Sequence, residues 1–193
     1  MLKAVNITKK FADNTVLDNF THDFPEGKVT AVLGRSGCGK STLLNILMGL
    51  LKPDSGEVVR GENMRIGAVF QEDRLCENLT VSANIRLVTG KRYTKAQIAA
   101  ELAEVGLGDC ADKPVRELSG GMKRRTALLR ALLAEYDALF LDEPFKGLDE
   151  ETKRAVIAYC RRKTAGKTVV FVTHDREECA ALADEITELG AED

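Results

Sequence analysis

The chain has 193 residues, 44% hydrophobic and 30% charged, an ordinary composition for a soluble globular protein with a sizeable core. A net charge of -2 argues against a protein held mainly by nucleic-acid phosphates, and with no tryptophan and 5% aromatics there is little to stack on single strands. No apolar run reaches the roughly eighteen residues needed to span a bilayer, and the first residues lack a signal-peptide pattern. The five cysteines, at 38, 76, 110, 160 and 179, show neither CxxC nor metal spacing and read as reduced thiols in the cytosol.

In chain order, two β-like pieces come first, Lys3 to Ile7 and Thr15 to Phe20, separated by the turn signal Asp13-Asn14. Val29-Thr30-Ala31-Val32-Leu33 then reads as a buried strand. It runs straight into Gly34-Arg35-Ser36-Gly37-Cys38-Gly39-Lys40-Ser41, followed by Thr42. Leu43, Leu44, Leu47 and Leu50 recur at helical spacing after it. Pro53-Asp54-Ser55-Gly56 is a turn, and Met64 to Phe70 reads as a strand delivering Gln71. Between about Thr80 and Glu117 the pattern is helical, clearest at Ile98, Leu102 and Val105. Leu118-Ser119-Gly120-Gly121-Met122 precedes a basic helical stretch that begins Lys123-Arg124-Arg125. Ala138 to Leu141 is a continuous apolar run ending in Asp142-Glu143-Pro144, as suits a central parallel strand covered on both faces. Gly147-Leu148-Asp149, a helix from Glu150 to Arg162, a strand from Thr168 to Thr173, His174 and a last helix complete the order.

The segment from Gly34 to Ser41 matches G-x-x-x-x-G-K-[ST] at every fixed position, and the flanking strand and helix supply the required context. Glycines let backbone N–H groups converge on an anion, Lys40 adds a point charge for the outer phosphates, and the Ser41 hydroxyl can complete a Mg2+ shell. The loop would also place phosphate at a helix N-terminus. A nucleoside triphosphate is therefore the expected ligand. Asp142 and Glu143 would emerge at the carboxyl end of their strand, where open α/β sheets place ligands. Taken alone, Gln71 reads as an ordinary residue after a strand, whereas His174 reads equally as a structural residue, Ser119 as a helix cap, and Phe11 as a core aromatic.

The ordered series of phosphate loop, Gln71, Leu-Ser-Gly-Gly, acidic strand, Gly-Leu-Asp and His174 resembles the nucleotide-binding domain of ABC transporters over nearly the whole chain. The resemblance implies an α/β fold: a P-loop NTPase core with a mixed, mainly parallel sheet, an N-terminal antiparallel β piece and an inserted α-helical lobe. Residues 1–193 would form one ABC-type ATPase domain, with 1–79 and 136–193 as the core and 80–135 as the helical lobe. It implies ATP and Mg2+ as ligands, with nucleotide contacts at Phe11, Gly34, Arg35, Ser36, Gly37, Cys38, Gly39, Lys40, Ser41 and Thr42. Ser41, Gln71 and Asp142 would serve the metal, and Glu143, His174 and Gln71 catalysis. Ser119, Gly120, Gly121 and Asp149 would reach ATP held by a second copy of the chain in an ATP-sandwich dimer.

By the same resemblance the partners are integral membrane permease subunits and a solute-binding protein, with no nucleic acid expected. The subunit would be cytoplasmic, peripheral on the inner face of the cell membrane. Gln71 to Leu75, Leu79-Thr80-Val81 and Asn84-Ile85 look similar to importers of nitrate, sulfonate and taurine type. A groove formed from Gln71 to Ile85, with Leu75, Leu79, Val81 and Ile85 as its apolar side chains, is expected to receive a short helix of the permease. Relative to the family, Met122 stands where glutamine is usual and Lys146 where a small residue is usual. The sequence also stops at Asp193, short of the family's final strands. The function expected is an ATP-hydrolysing subunit that powers a solute importer. The rival is a soluble ABC ATPase in macromolecular assembly or nucleic-acid work.

Overall fold

A computed structural model describes residues 1–12 and 14–190; Asp13 of the expected Asp13-Asn14 turn lies outside them. The sequence folds into two sheets with different logic. In the first, β1 (Leu2–Phe11) pairs antiparallel with β2 (Asn14–Phe24) and with β4 (Ser55–Arg60), in the order β2-β1-β4. Leu2 and Ala4 point inward by simple alternation, but Ile7, also fully buried, is three residues further on. A register shift between Ala4 and Ile7, with Asn6 at φ 51°, restores the inward phase after one extra residue. Gly56 makes the return strand possible: at φ 81° a Cβ there would fall 2.2 Å from the Asn6 carbonyl oxygen.

The second sheet is parallel throughout its described pairings, in the order β5 (Ile66–Val69), β6 (Ala138–Asp142), β7 (Thr168–Thr173), β3 (Val29–Leu33), β8 (Glu185–Glu188). Strands β3, β6 and β7 are buried at every residue, which explains their unbroken apolar runs. Alternate side chains feed two cores. Ala31, Leu33, Leu139, Leu141, Val169 and Phe171 join one with the helices, while Val32, Phe140, Val170 and Val172 join the other with α1 (Lys40–Leu47) and the antiparallel sheet. Each such large side chain contributes about 1.5–3 kcal/mol of burial.

Helices α2 (Val81–Thr89), α3 (Lys95–Glu104) and α4 (Gly120–Leu132) pack on one another, joined by short 3-10 turns at Gly108–Cys110 and Val115–Glu117. Thr80 caps α2, and Thr94 with Gln97 forms a capping box on α3. The helix α5 (Glu150–Thr164) packs on α6 (Arg176–Leu182) beside the parallel sheet. Cys160 and Cys179 are buried in α5 and α6, as small helix residues would be.

Several sequence expectations shift. Leu50 lies beyond the end of α1 and is 61% exposed. The strand before Gln71 is only Ile66–Val69, while Ser55 and Gly56 begin β4 rather than completing a turn; β4 and β8 had no clear signal. The expected apolar groove is also corrected. Val81 and Ile85 are fully buried in the protein's own core and Leu75 packs against it, whereas the exposed apolar side chains nearby are Leu79, Leu87 and Val88.

Candidate functional site

Because β5, β6, β7 and β3 run parallel, the residues following their carboxyl ends line up along one sheet edge. In spatial order these are Gln71, Glu143, His174 and the loop that starts at Gly34. They surround a cleft of about 550 Å³ lined by Phe11, Val16, Ser36, Gly37, Gly39, Lys40, Ser41, Thr42, Gln71, Glu143, Lys146 and His174. Ten of these twelve are residues that the sequence singled out as contacts or catalytic groups; Val16 and Lys146 are additions. Gly34 and Arg35 line an adjoining cavity, together with Ser36 and His174.

The loop's shape depends on two glycines for different reasons. Gly39 sits at φ 99°, and a Cβ there would come within 2.6 Å of Val16 Cγ1 and 2.9 Å of the Val16 carbonyl oxygen. Gly34 has no room either, because a Cβ would meet Cys38 Sγ at 2.6 Å and the Leu189 carbonyl oxygen at 2.6 Å. Cys38 therefore packs its sulfur inward, against the second core, and does not line the cleft. Lys40, 6% exposed, donates from Nζ to the carbonyls of Gly34 and Arg35 at 2.8 and 2.9 Å. Its ammonium also stands 3.8 Å from Glu143 Oε1.

Opposite the loop, His174 Nδ1 lies 3.0 Å from each carboxylate oxygen of Glu143. A carboxylate only accepts, so Nδ1 carries the proton of that contact. Glu143 holds a left-handed backbone at φ 47°, which turns its side chain out of the strand's alternation toward the cleft. Asp142 before it is buried, and its Oδ1 has no hydrogen-bond partner. Burial pushes the Asp142 carboxyl above its ordinary pKa, against the opposing effect of the neighbouring Ser41 hydroxyl. An orphaned, desolvated carboxylate oxygen beside a serine hydroxyl at the mouth of an anion loop fits a hard divalent cation such as Mg2+. Ser41 and Asp142 are the donors in place, and Gln71 lines the same cleft.

Phe11 is 49% exposed at the rim, with Lys9 Nζ 5.5 Å from its ring centre, so burial does not account for it. Ser119, Gly120, Gly121 and Asp149 do not line the cleft. Ser119 caps α4 through the Met122 amide at 3.4 Å, and Asp149 caps α5 through the Thr152 amide at 3.0 Å. Both lie at exposed helix starts. Sequence reasoning missed Arg124: it passed as one of three basic residues in a helix, yet it is 4% exposed and bonded to the backbone of both acidic residues.

A phosphate loop, an acid pair closing a buried parallel strand and a histidine just after the adjoining strand define a nucleotide-binding P-loop protein. The chain belongs to the ABC transporter family, whose model matches residues 17–146. It is 38% identical to the sulfate/thiosulfate import ATP-binding protein CysA of Xanthomonas campestris, over 96% of this chain and 60% of that protein. It is 43% identical to an aliphatic sulfonates import ATP-binding protein, SsuB 1, of Agrobacterium fabrum, over 94% of this chain and 68% of that protein. The chain thus spans less than two thirds of the length of the CysA relatives, 60% and 56% in two cases. A solved dimeric structure of a bacterial ABC transporter cassette superposes with a TM-score of 0.83 at 30% identity, covering 98% of this chain and 94% of that one. The same cassette bound to ADP and Pi in a post-hydrolysis state matches equally well. Among the described residues no helix is long and apolar enough to cross a membrane.

Proposed function

We propose that this chain binds and hydrolyses ATP as the energy-supplying subunit of a solute importer. The observation that carries the reading is the contact of His174 with both oxygens of Glu143, facing Lys40 across the cleft beneath the phosphate loop. ATP would enter with its phosphates on the loop amides and the N-terminus of α1, and with adenine against Phe11. Lys40 would exchange its two loop carbonyls for phosphate oxygens, a stronger charge-assisted contact. Ser41, Asp142 and Gln71 would hold Mg2+, which when bound supplies positive charge toward the phosphate oxygens.

Glu143 then orients the attacking water and draws on its proton. His174 is held by that carboxylate so that its ring faces the terminal phosphate. Phosphoryl transfer asks chiefly for positioning and charge stabilisation, which suits groups fixed at strand ends better than a covalent nucleophile. Ser119, Gly120, Gly121 and Asp149, left out of the cleft, are free to serve nucleotide on a second copy, with residues 80–135 acting as the helical lobe that carries the signature. Relatives named for sulfate, thiosulfate and aliphatic sulfonate import favour oxyanion solutes, a permease partner and a place on the inner membrane face. A solute-binding protein would complete the system.

The test is titration calorimetry with ATP and a phosphate-release assay on the purified protein and its Lys40→Ala variant. The protein should bind ATP and release phosphate with Mg2+ present, and the variant should lose most of its affinity. Equal affinity in the two proteins would overturn the site assignment, and absence of phosphate release would overturn the activity.

A further inference from the structure

Arg124 lies on the second turn of α4, five residues after the cap Ser119, and is almost wholly withdrawn from solvent. Its Nε donates to the Pro144 carbonyl at 3.2 Å. Nη1 donates to the Phe70 carbonyl at 2.6 Å and to Asp73 Oδ1 at 3.2 Å. Nη2 donates to the Glu143 carbonyl at 2.6 Å and to the Asp142 carbonyl. A guanidinium has five N–H groups, and here all five have an acceptor.

The acceptors matter more than their number. Along a strand, successive carbonyls alternate sides, so three consecutive ones cannot normally meet at a point. Here the carbonyls of Asp142, Glu143 and Pro144 converge, because Glu143 adopts the left-handed backbone at φ 47°. Three carbonyl dipoles aimed together repel unless a cation sits at their focus, and a buried guanidinium is planar and wide enough to meet all three. The fourth carbonyl belongs to Phe70, the residue before Gln71, and the carboxylate of Asp73 follows two residues later. Both loops that carry water- and metal-facing residues are therefore tied to one side chain of the signature helix.

We propose that Arg124 is a positioning residue, which holds the turn of Glu143 and the loop of Gln71 in register with the helix that begins at Ser119. The inference rests on the ATPase reading for its kinetic part only. Arg124→Lys and Arg124→Gln are compared with the unaltered protein by hydrogen–deuterium exchange over residues 70–74, 142–147 and 34–42. Steady-state hydrolysis and ATP titration are measured on the same samples. Amide exchange in the first two segments should rise at least tenfold on the order of the loss of a local hold, while residues 34–42 stay unchanged. The value of kcat should fall by about tenfold or more with ATP affinity within about threefold, since the interaction lost acts on positioning and not on binding. Should either variant fail to fold, Asp73→Ala removes one acceptor and leaves the carbonyls, and should show the same split at smaller size. Unchanged exchange at 70–74 and 142–147 in a folded variant would overturn the inference, as would equal losses in affinity and kcat. If the unaltered protein hydrolyses no ATP, the ATPase reading falls, while the exchange result still decides whether Arg124 holds the two loops.

Discussion

Glu143 and His174 meet through a symmetrical contact, with Nδ1 of the histidine 3.0 Å from both carboxylate oxygens, although they follow different strands and lie 31 residues apart. The contact depends on β6 and β7 being neighbours in register, with Asp142 paired to Val172, and on the left-handed turn that reverses Glu143. A carboxylate so held can orient a water and accept from it, while the ring is kept in one tautomer.

Glu143→Gln keeps the shape and most of the hydrogen bonding but loses the basic oxygen. Turnover should drop by about a hundredfold or more, with ATP affinity retained. Trapped ATP should then make a dimer visible by size exclusion. Turnover at the original rate would move the base elsewhere, with His174 the first candidate.

Ser119→Arg tests whether the signature acts across a subunit boundary. The serine is exposed at the start of α4 and away from the cleft, so a long cationic side chain there leaves the chain's own phosphate loop intact. Monomer affinity for ATP should persist, while ATP-dependent dimerisation and turnover both collapse. Loss of affinity in the monomer would show that the signature serves its own nucleotide.

Asp142→Asn separates stability from function. Burial raises the folded-state pKa of Asp142 above its unfolded value, so at neutral pH the ionised group is carried at a cost. That cost is relieved as pH falls through the raised pKa toward the ordinary one. The asparagine variant should melt higher at neutral pH, because it carries no charge to desolvate. The difference should shrink on acidification, and Mg2+-dependent hydrolysis should be lost. Calorimetric melting across pH beside the hydrolysis assay reads both; a lower melting point at neutral pH would mean that the Ser41 and Lys40 contacts outweigh burial.

Leu79, Leu87 and Val88 are the exposed apolar side chains on the helical side, at 38%, 60% and 40% exposure. Burying each against a permease helix would contribute up to about 1.5–3 kcal/mol. Leu79→Asp and Leu87→Asp should therefore release the protein from membranes of cells that express the whole transport system, and change ATP hydrolysis in solution little. Membrane fractionation beside the solution assay reads this. An unaltered protein that stays in the supernatant beside its permease, or follows ribosomes or DNA, would favour the rival soluble ATPase.

Local chemistry made much of the site legible from the residues alone. The phosphate loop is contiguous, so its spacing of Gly34, Gly39, Lys40 and Ser41 carries its geometry within it. The unbroken apolar runs of β3, β6 and β7 announce burial on both faces. What depends on which strands become neighbours could not be read in one dimension. The order β6-β7-β3 sets Glu143 beside His174, and burial strips the partner from Asp142 Oδ1. Amphipathic pattern marks a residue as apolar but not what covers it, so Val81 and Ile85 went to the protein's own core while Leu87 stayed outside. Nor does a run of Lys123-Arg124-Arg125 tell which cation turns inward. The three carbonyls gathered by the left-handed turn at Glu143, with that of Phe70 from the neighbouring segment, make a buried place for Arg124.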